Sequence, residues 1–132
     1  MLKLDSRKFS QETYAALTEL KTGLDSSYHK KASGLIQGLT AYISTWGLHR
    51  LSGDATKFLA GKAEDTKYKG KVYRKFLEKL SAFSAKEFNI EEPGSLINMP
   101  LREYTALNHL AIELAREWSF WASAILGEAE DL

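Results

Sequence analysis

The chain has 132 residues, the usual size of one domain, and is 44% hydrophobic and 27% charged, with 3 Trp, 6 Tyr and 6 Phe. That composition excludes a disordered segment, which would have fewer aromatics and more net charge, and the absence of cysteine excludes disulfides, thiol catalysis and Cys-ligated zinc or iron–sulfur clusters. The net charge of +1 conceals an asymmetry: residues 1–86 hold 16 Lys/Arg against 8 Asp/Glu, whereas residues 87–132 hold 2 against 9.

The elements in chain order read as helices. A first helix is expected from about Ser6, a plausible N-cap, to Thr22, with Phe9, Thr13, Ala16, Leu17, Leu20 and Leu24 along one face and Gly23 as its stop. In the second, Tyr28, Ala32, Leu35, Ile36, Leu39, Ile43 and Trp46 fall within a stripe about 100° wide. Gly34, Gly38, Ala41 and Thr45 lie opposite, and each helix-interior glycine costs about 1 kcal/mol relative to alanine. That side is therefore expected to admit a close approach, by a tightly packed neighbouring helix or by a backbone or phosphate of another molecule. Gly47 ends the helix, in a left-handed cap. Leu48, Leu51, Ala55, Phe58 and Leu59 mark a short third helix closed by Gly61-Lys62.

Residues 63–70 read as a polar connection. The fourth helix is expected over Lys71–Lys86, with Val72, Tyr73, Phe76, Leu77, Leu80 and Phe83 on its apolar face and Lys71, Arg74 and Glu78 opposite. Lys69 would project into that apolar face if the helix began earlier, which places Gly70 near its start. Pro93-Gly94 and Met99-Pro100 make residues 87–100 a loop with at most one turn of helix. The last helix spans about Pro100 to Leu126, with Tyr104, Leu107, Leu110, Ala111, Leu114, Trp118, Trp121 and Ile125 as its core face and Gly127 as its cap. On its outer side Ile112, Arg116 and Phe120 form a candidate subunit contact. The expectation is an all-α, single-domain compact bundle of about five main helices over residues 1–132.

Catalytic chemistry finds no anchor in the sequence. His29, His49 and His109 fall in three different helices, and no HExxH, Walker A, GxSxG or GxGxxG motif occurs. Glu113 and Glu117 are one turn apart, but Arg116 stands where a di-iron ExxH motif needs histidine. No catalytic residue, metal, cofactor or small-molecule substrate is expected. Residues 1–10 lack the apolar core of a signal peptide, and no apolar run approaches the ~20 residues that span a bilayer, so a cytoplasmic protein without membrane contact is expected.

The positive signal is basic. Between Lys62 and Lys79 there are seven Lys/Arg and three Asp/Glu, with Tyr68, Tyr73 and Phe76 interleaved, the last two belonging to the core by periodicity. Lysine and arginine engage phosphates without reading base sequence. Lys62, Lys67, Lys71, Arg74, Lys75 and Arg50 are the candidate RNA-binding residues, and Lys30, Lys31 and Lys57 extend the patch if their helices lie beside it.

The stretch Leu35 to Lys62, with Gly47-Leu48, Phe58-Leu59 and the following Lys62, resembles the small helical subunit of type III-B CRISPR effector complexes, the fifth subunit of the Cmr RNA-silencing complex. A long final helix with Tyr104, Leu107, Trp121, Ala122 and Ile125-Leu126 is similar too, as are chain length and helix order. Trp46 and Ser44 stand where that family often has Asn and a basic residue, and Ser119-Phe120 stand where it often has adjacent basic residues. The resemblance implies a non-catalytic subunit for antiviral defence. Its partners would be the other Cmr subunits, copies of itself stacked along the complex, and the guide and target RNA. The alternative is a structural adaptor whose basic face binds acidic protein partners without touching RNA.

Overall fold

The computed structural model describes residues 6–84 and 87–129, and these form an all-α bundle with no strand among them. Seven α-helices follow in order: α1 (Ser6–Gly23), α2 (His29–Gln37), α3 (Leu39–Trp46), α4 (Leu48–Ala60), α5 (Glu64–Phe83), α6 (Pro93–Ile97) and α7 (Leu101–Leu126). A 3-10 turn, Ser26–Tyr28, joins α1 to α2. The turn expected among residues 87–100 is α6, started by Pro93, whose fixed φ suits the first position of a helix. The side chain of Ser6 and residues 85 and 86, on which the N-cap and the expected end of the fourth helix fell, lie outside the described residues.

Helix α7 is the spine, 26 residues and about 39 Å long at 1.5 Å per residue. Helices α1, α2 and α3 pack against it, while α4 and α5 form an antiparallel pair on the other side of the core. The two halves meet through α1 and α2 against α5 and α3 against α4, and at the centre Trp118 of α7 sets its ring edge-on against Phe76 of α5, centroids 5.2 Å apart at 81°. Both side chains are completely buried, as are Leu17, Ile36, Leu48, Leu51, Leu77, Leu80 and Leu114 around them. Each lies on the apolar stripe that helical spacing assigns to its element.

Three local features depart from expectation. The second helix is two helices, because the chain tightens at Gly38 (φ −89°, ψ −5°), whose N–H bonds back to Leu35 O at 3.2 Å before α3 restarts. Glycines at 34 and 38 weaken the helix enough for packing of both halves onto α7 to break it. Neither glycine receives a neighbouring helix: a Cβ at Gly34 would meet only Ala129 Cβ, at 3.5 Å, and one at Gly38 only carbonyls of its own turn.

The close approach occurs at Gly70 instead. Helix α5 begins seven residues earlier than expected, at Glu64, where Glu64 and Asp65 place negative charge on the positive end of the helix dipole. Gly70 is therefore a mid-helix residue, buried against α4, and a Cβ there would stand 2.7 Å from Leu59 Cγ and 2.8 Å from Leu59 N. Because one of those atoms is backbone, the whole α4–α5 crossing must move to admit it. Gly70→Ala is expected to destabilise by about 1–3 kcal/mol. Gly53→Ala, in α4 with nothing within 4 Å of its Cβ, should stabilise by about 0.5–1 kcal/mol. Urea unfolding midpoints check both, and equal signs for the two would refute the crossing geometry.

The third departure is at Gly47. Its φ of 86° is positive, as a glycine cap requires, but its ψ of 161° is extended rather than the compact left-handed turn. Its N–H closes α3 on Ile43 O at 2.9 Å, and the chain then swings directly into α4. There the Leu48 N–H donates to Asn108 Oδ1 at 3.1 Å, so α7 supplies the cap that the α4 start lacks in sequence.

Two of the three histidines serve these junctions. His29 Nε2 donates to Lys21 O at 2.8 Å and Leu24 O at 3.0 Å, satisfying carbonyls at the end of α1. His49 Nδ1 lies 2.7 Å from the Tyr104 hydroxyl, linking α4 to α7.

Candidate nucleic-acid interface

Helix geometry decides what α5 presents outward. With 100° per residue, Lys67, Lys71, Arg74, Lys75 and Glu78 occupy an arc of about 100°, opposite the buried Val72, Phe76 and Leu80. The structure thus brings four of the six candidate RNA-binding residues onto one face. Lys62 is exposed in the turn just before this face. Arg50 stands apart. It is the third residue of α4 and lies at the far end of that helix from Lys62, about 18 Å along the chain's rise. Its guanidinium rests over the Trp46 ring, 4.8 Å from the centroid.

The four helix residues are not equivalent. Lys75 Nζ donates to Glu19 Oε2 of α1 at 2.9 Å and lies 3.6 Å from Glu78 Oε2. The hydrogen bond from Lys75, followed by its charge, holds the Glu19 carboxyl below the usual range, and the same bond raises the Lys75 ammonium. Arg74 has only 21% of its side chain exposed, lies 4.0 Å from Glu91, and keeps its Nε buried without a partner among the described residues. These two cations are held by the fold. Lys62, Lys67 and Lys71 have no carboxylate within ion-pair distance among the described residues, and their charge faces outward.

A second basic cluster was visible in the sequence only in pieces. Lys30 and Lys31 of α2 face Lys69 of α5 across a groove of about 370 Å³. Lys69 does project toward the apolar side, as an early helix start demands. Its stem crosses the Phe58 ring, with Nζ 5.6 Å from the centroid, which keeps the ammonium at the surface. The acidic pair Glu64-Asp65 was the signal that could have placed the helix start, and with it Lys69.

The opposite side of the molecule carries the candidate subunit contact. Because Trp118 faces the core, residues 112, 116 and 120 of α7 point away from α5. Ile112 is half-buried and packs onto the core, and Arg116 pairs within its own helix with Glu113 at 2.9 Å. Phe120 stands 70% exposed, its ring edge-on to Trp121 at 5.1 Å, and Tyr14 of α1 extends this aromatic surface to the other side of Trp121 at 5.8 Å. The two glutamates weighed as metal ligands are engaged otherwise. Glu113 holds Arg116, and Glu117 accepts hydrogen bonds from Trp121 Nε1 at 2.8 Å and from the Ser10 hydroxyl. Among the described residues no three His, Asp or Glu side chains converge, and no helix is long and apolar enough to cross a membrane.

No protein-family model, curated protein or solved structure matches the chain.

Proposed function

We propose that this chain is a non-catalytic, cytoplasmic helical subunit of an RNA-targeting assembly of the type III-B CRISPR kind, which grips RNA phosphates through the outer face of α5. The observation that carries the reading is the row Lys62, Lys67 and Lys71, three cations that form no ion pair with a described carboxylate. Glu64 shares this arc at the first turn of α5, but no described ion pair joins it to a lysine of the row, whereas Arg74 and Lys75 both lie against carboxylates. The resemblance of Leu35 to Lys62 and of α7 to the small Cmr subunit supplies the assembly. The exposed Phe120, on the side of the bundle away from α5, supports a protein contact that does not compete with RNA.

On this reading the interaction is electrostatic and indifferent to base sequence, and the chemistry of cleavage belongs to partner subunits. Lys67→Glu with Lys71→Glu is expected to weaken single-stranded RNA binding at 50 mM salt by at least tenfold. The slope of log K against log salt should fall by about 1.4, near 0.7 for each lost phosphate contact on a single strand. Circular dichroism should be unchanged, since Lys71 is exposed and Lys67, half-buried, makes no ion pair among the described residues. Fluorescence anisotropy on two RNAs of unlike sequence makes the measurement. Undiminished affinity in the double variant refutes the assignment. Crosslinks from Lys67 and Lys71 only to protein, in the assembled complex, favour the adaptor reading.

A further inference from the structure

The α2–α5 groove is a site of its own kind. Lys30, Lys31 and Lys69 line it, and the one carboxylate at its edge, Asp65, accepts the Tyr28 hydroxyl at 3.0 Å. None of the three ammonium groups has a carboxylate partner among the described residues. Two of them rest on aromatic rings instead, Lys31 over Tyr28 and Lys69 over Phe58, each 5.6 Å from the centroid. Bringing three cations around one concavity raises their mutual repulsion, and a concave wall of low dielectric focuses the resulting field onto any anion that enters.

The lining between the cations is largely apolar. Leu35 and Tyr68 form it, and Tyr68 stacks on Tyr28 with centroids 5.0 Å apart and planes 23° from parallel. At about 370 Å³ the groove lies within the range of small-ligand sites, near its lower end. A bare phosphate would leave the apolar lining unused. A fatty acid would leave the Asp65 carboxylate facing hydrocarbon. A molecule with a phosphate at one end and a planar ring bearing an amino group at the other uses every wall: ammonium groups for the phosphate, Leu35 and Tyr68 for the ring, and Asp65 as acceptor for the amine.

We infer that the α2–α5 groove binds a nucleotide, its phosphate held by Lys30, Lys31 and Lys69 and its base seated on Leu35 and Tyr68. The nucleotide is either free or one unit of an RNA strand, and the site stands whether or not the outer face of α5 holds RNA.

The test is a titration of the full ¹⁵N-labelled chain, once with AMP and once with a ten-residue oligoadenylate, following the backbone amides of Gly34, Leu35, Tyr68 and Lys69. Saturable shifts at these amides with AMP are expected for a site that takes a free nucleotide. Shifts with the oligonucleotide alone assign the groove to a strand. In either case Lys31→Glu with Lys69→Glu should weaken binding at least tenfold. Lys30→Glu with Lys31→Glu, both exposed, is a second variant that leaves the contact of Lys69 on Phe58 in place. Lys8→Glu with Lys21→Glu on α1 removes the same charge elsewhere and should change affinity less than twofold. Three results overturn the inference: no shifts with either ligand, shifts along α5 with none at Gly34 and Leu35 of α2, or an equal loss in the α1 control. The second of these leaves the outer-face reading intact, so the two proposals fail separately.

Discussion

Trp118→Ala is expected to destabilise the bundle by about 3–5 kcal/mol, the range for removing a fully buried tryptophan. The residue is where α7 reaches α5 across the core. Its edge-on contact with Phe76 is the central link between α5 and α7, which otherwise touch little. Truncation leaves a cavity at the junction and removes the aromatic pair, worth about 0.5–1.5 kcal/mol beyond the buried area. Trp118→Phe separates the contributions. The indole Nε1 is buried and has no hydrogen-bond partner among the described residues, so phenylalanine loses volume but also removes an unsatisfied donor. Its cost is expected below about 2 kcal/mol. Urea unfolding followed by far-UV circular dichroism reads both variants. An alanine variant within about 1 kcal/mol of the parent would refute the central place of this contact in the core.

Gly47→Ala is the second large effect, about 2–4 kcal/mol, from two separable causes. At φ 86° and ψ 161° the backbone is in a region that residues with a Cβ essentially never occupy. The added Cβ would also collide with the Tyr104 hydroxyl, the group that bonds the His49 ring. A double-mutant cycle divides them. Tyr104→Phe alone should cost about 1 kcal/mol for the lost hydrogen bond. In the Gly47→Ala background the same change removes the colliding oxygen and should cost nothing or restore stability, giving a coupling of about 1 kcal/mol or more. The remaining deficit is backbone strain, which no change at position 104 relieves. Simple additivity would show that the new methyl group avoids the hydroxyl altogether.

The basic face illustrates how far local pattern carries. Periodicity places Lys71 and Arg74 outward on one helix; Lys71 is exposed, while Arg74 shares its arc with most of the side chain covered. Periodicity could not distinguish Lys71, whose charge is open, from Lys75, whose partner Glu19 lies 56 residues earlier on another helix. Nor could it join Lys30 and Lys31 to Lys69, because that depends on α2 and α5 flanking the same groove. Arg50 stands apart for the same reason: α4 does lie beside α5, but in an antiparallel pair the two ends of α4 meet opposite ends of α5. The subunit stripe shows a related effect. Spacing alone makes Ile112 and Phe120 equal, yet Ile112 packs onto the core while Phe120 remains 70% exposed.

What the sequence determined by itself is the all-α class, the core-facing side of the long helices α1, α5 and α7, and the breaks at Gly47 and Gly127. These follow from side-chain periodicity and backbone freedom, which act within a few residues. Trp46, by contrast, lies on the expected stripe and stands 52% exposed. The tertiary structure alone decided the break at Gly38, the early start of α5 and the crossing at Gly70. It also decided which cations are neutralised and which stay open. Each of those depends on what a distant segment places alongside. A glycine's missing side chain has meaning only against the atom that fills its space, and a lysine's charge only against the carboxylate that reaches it.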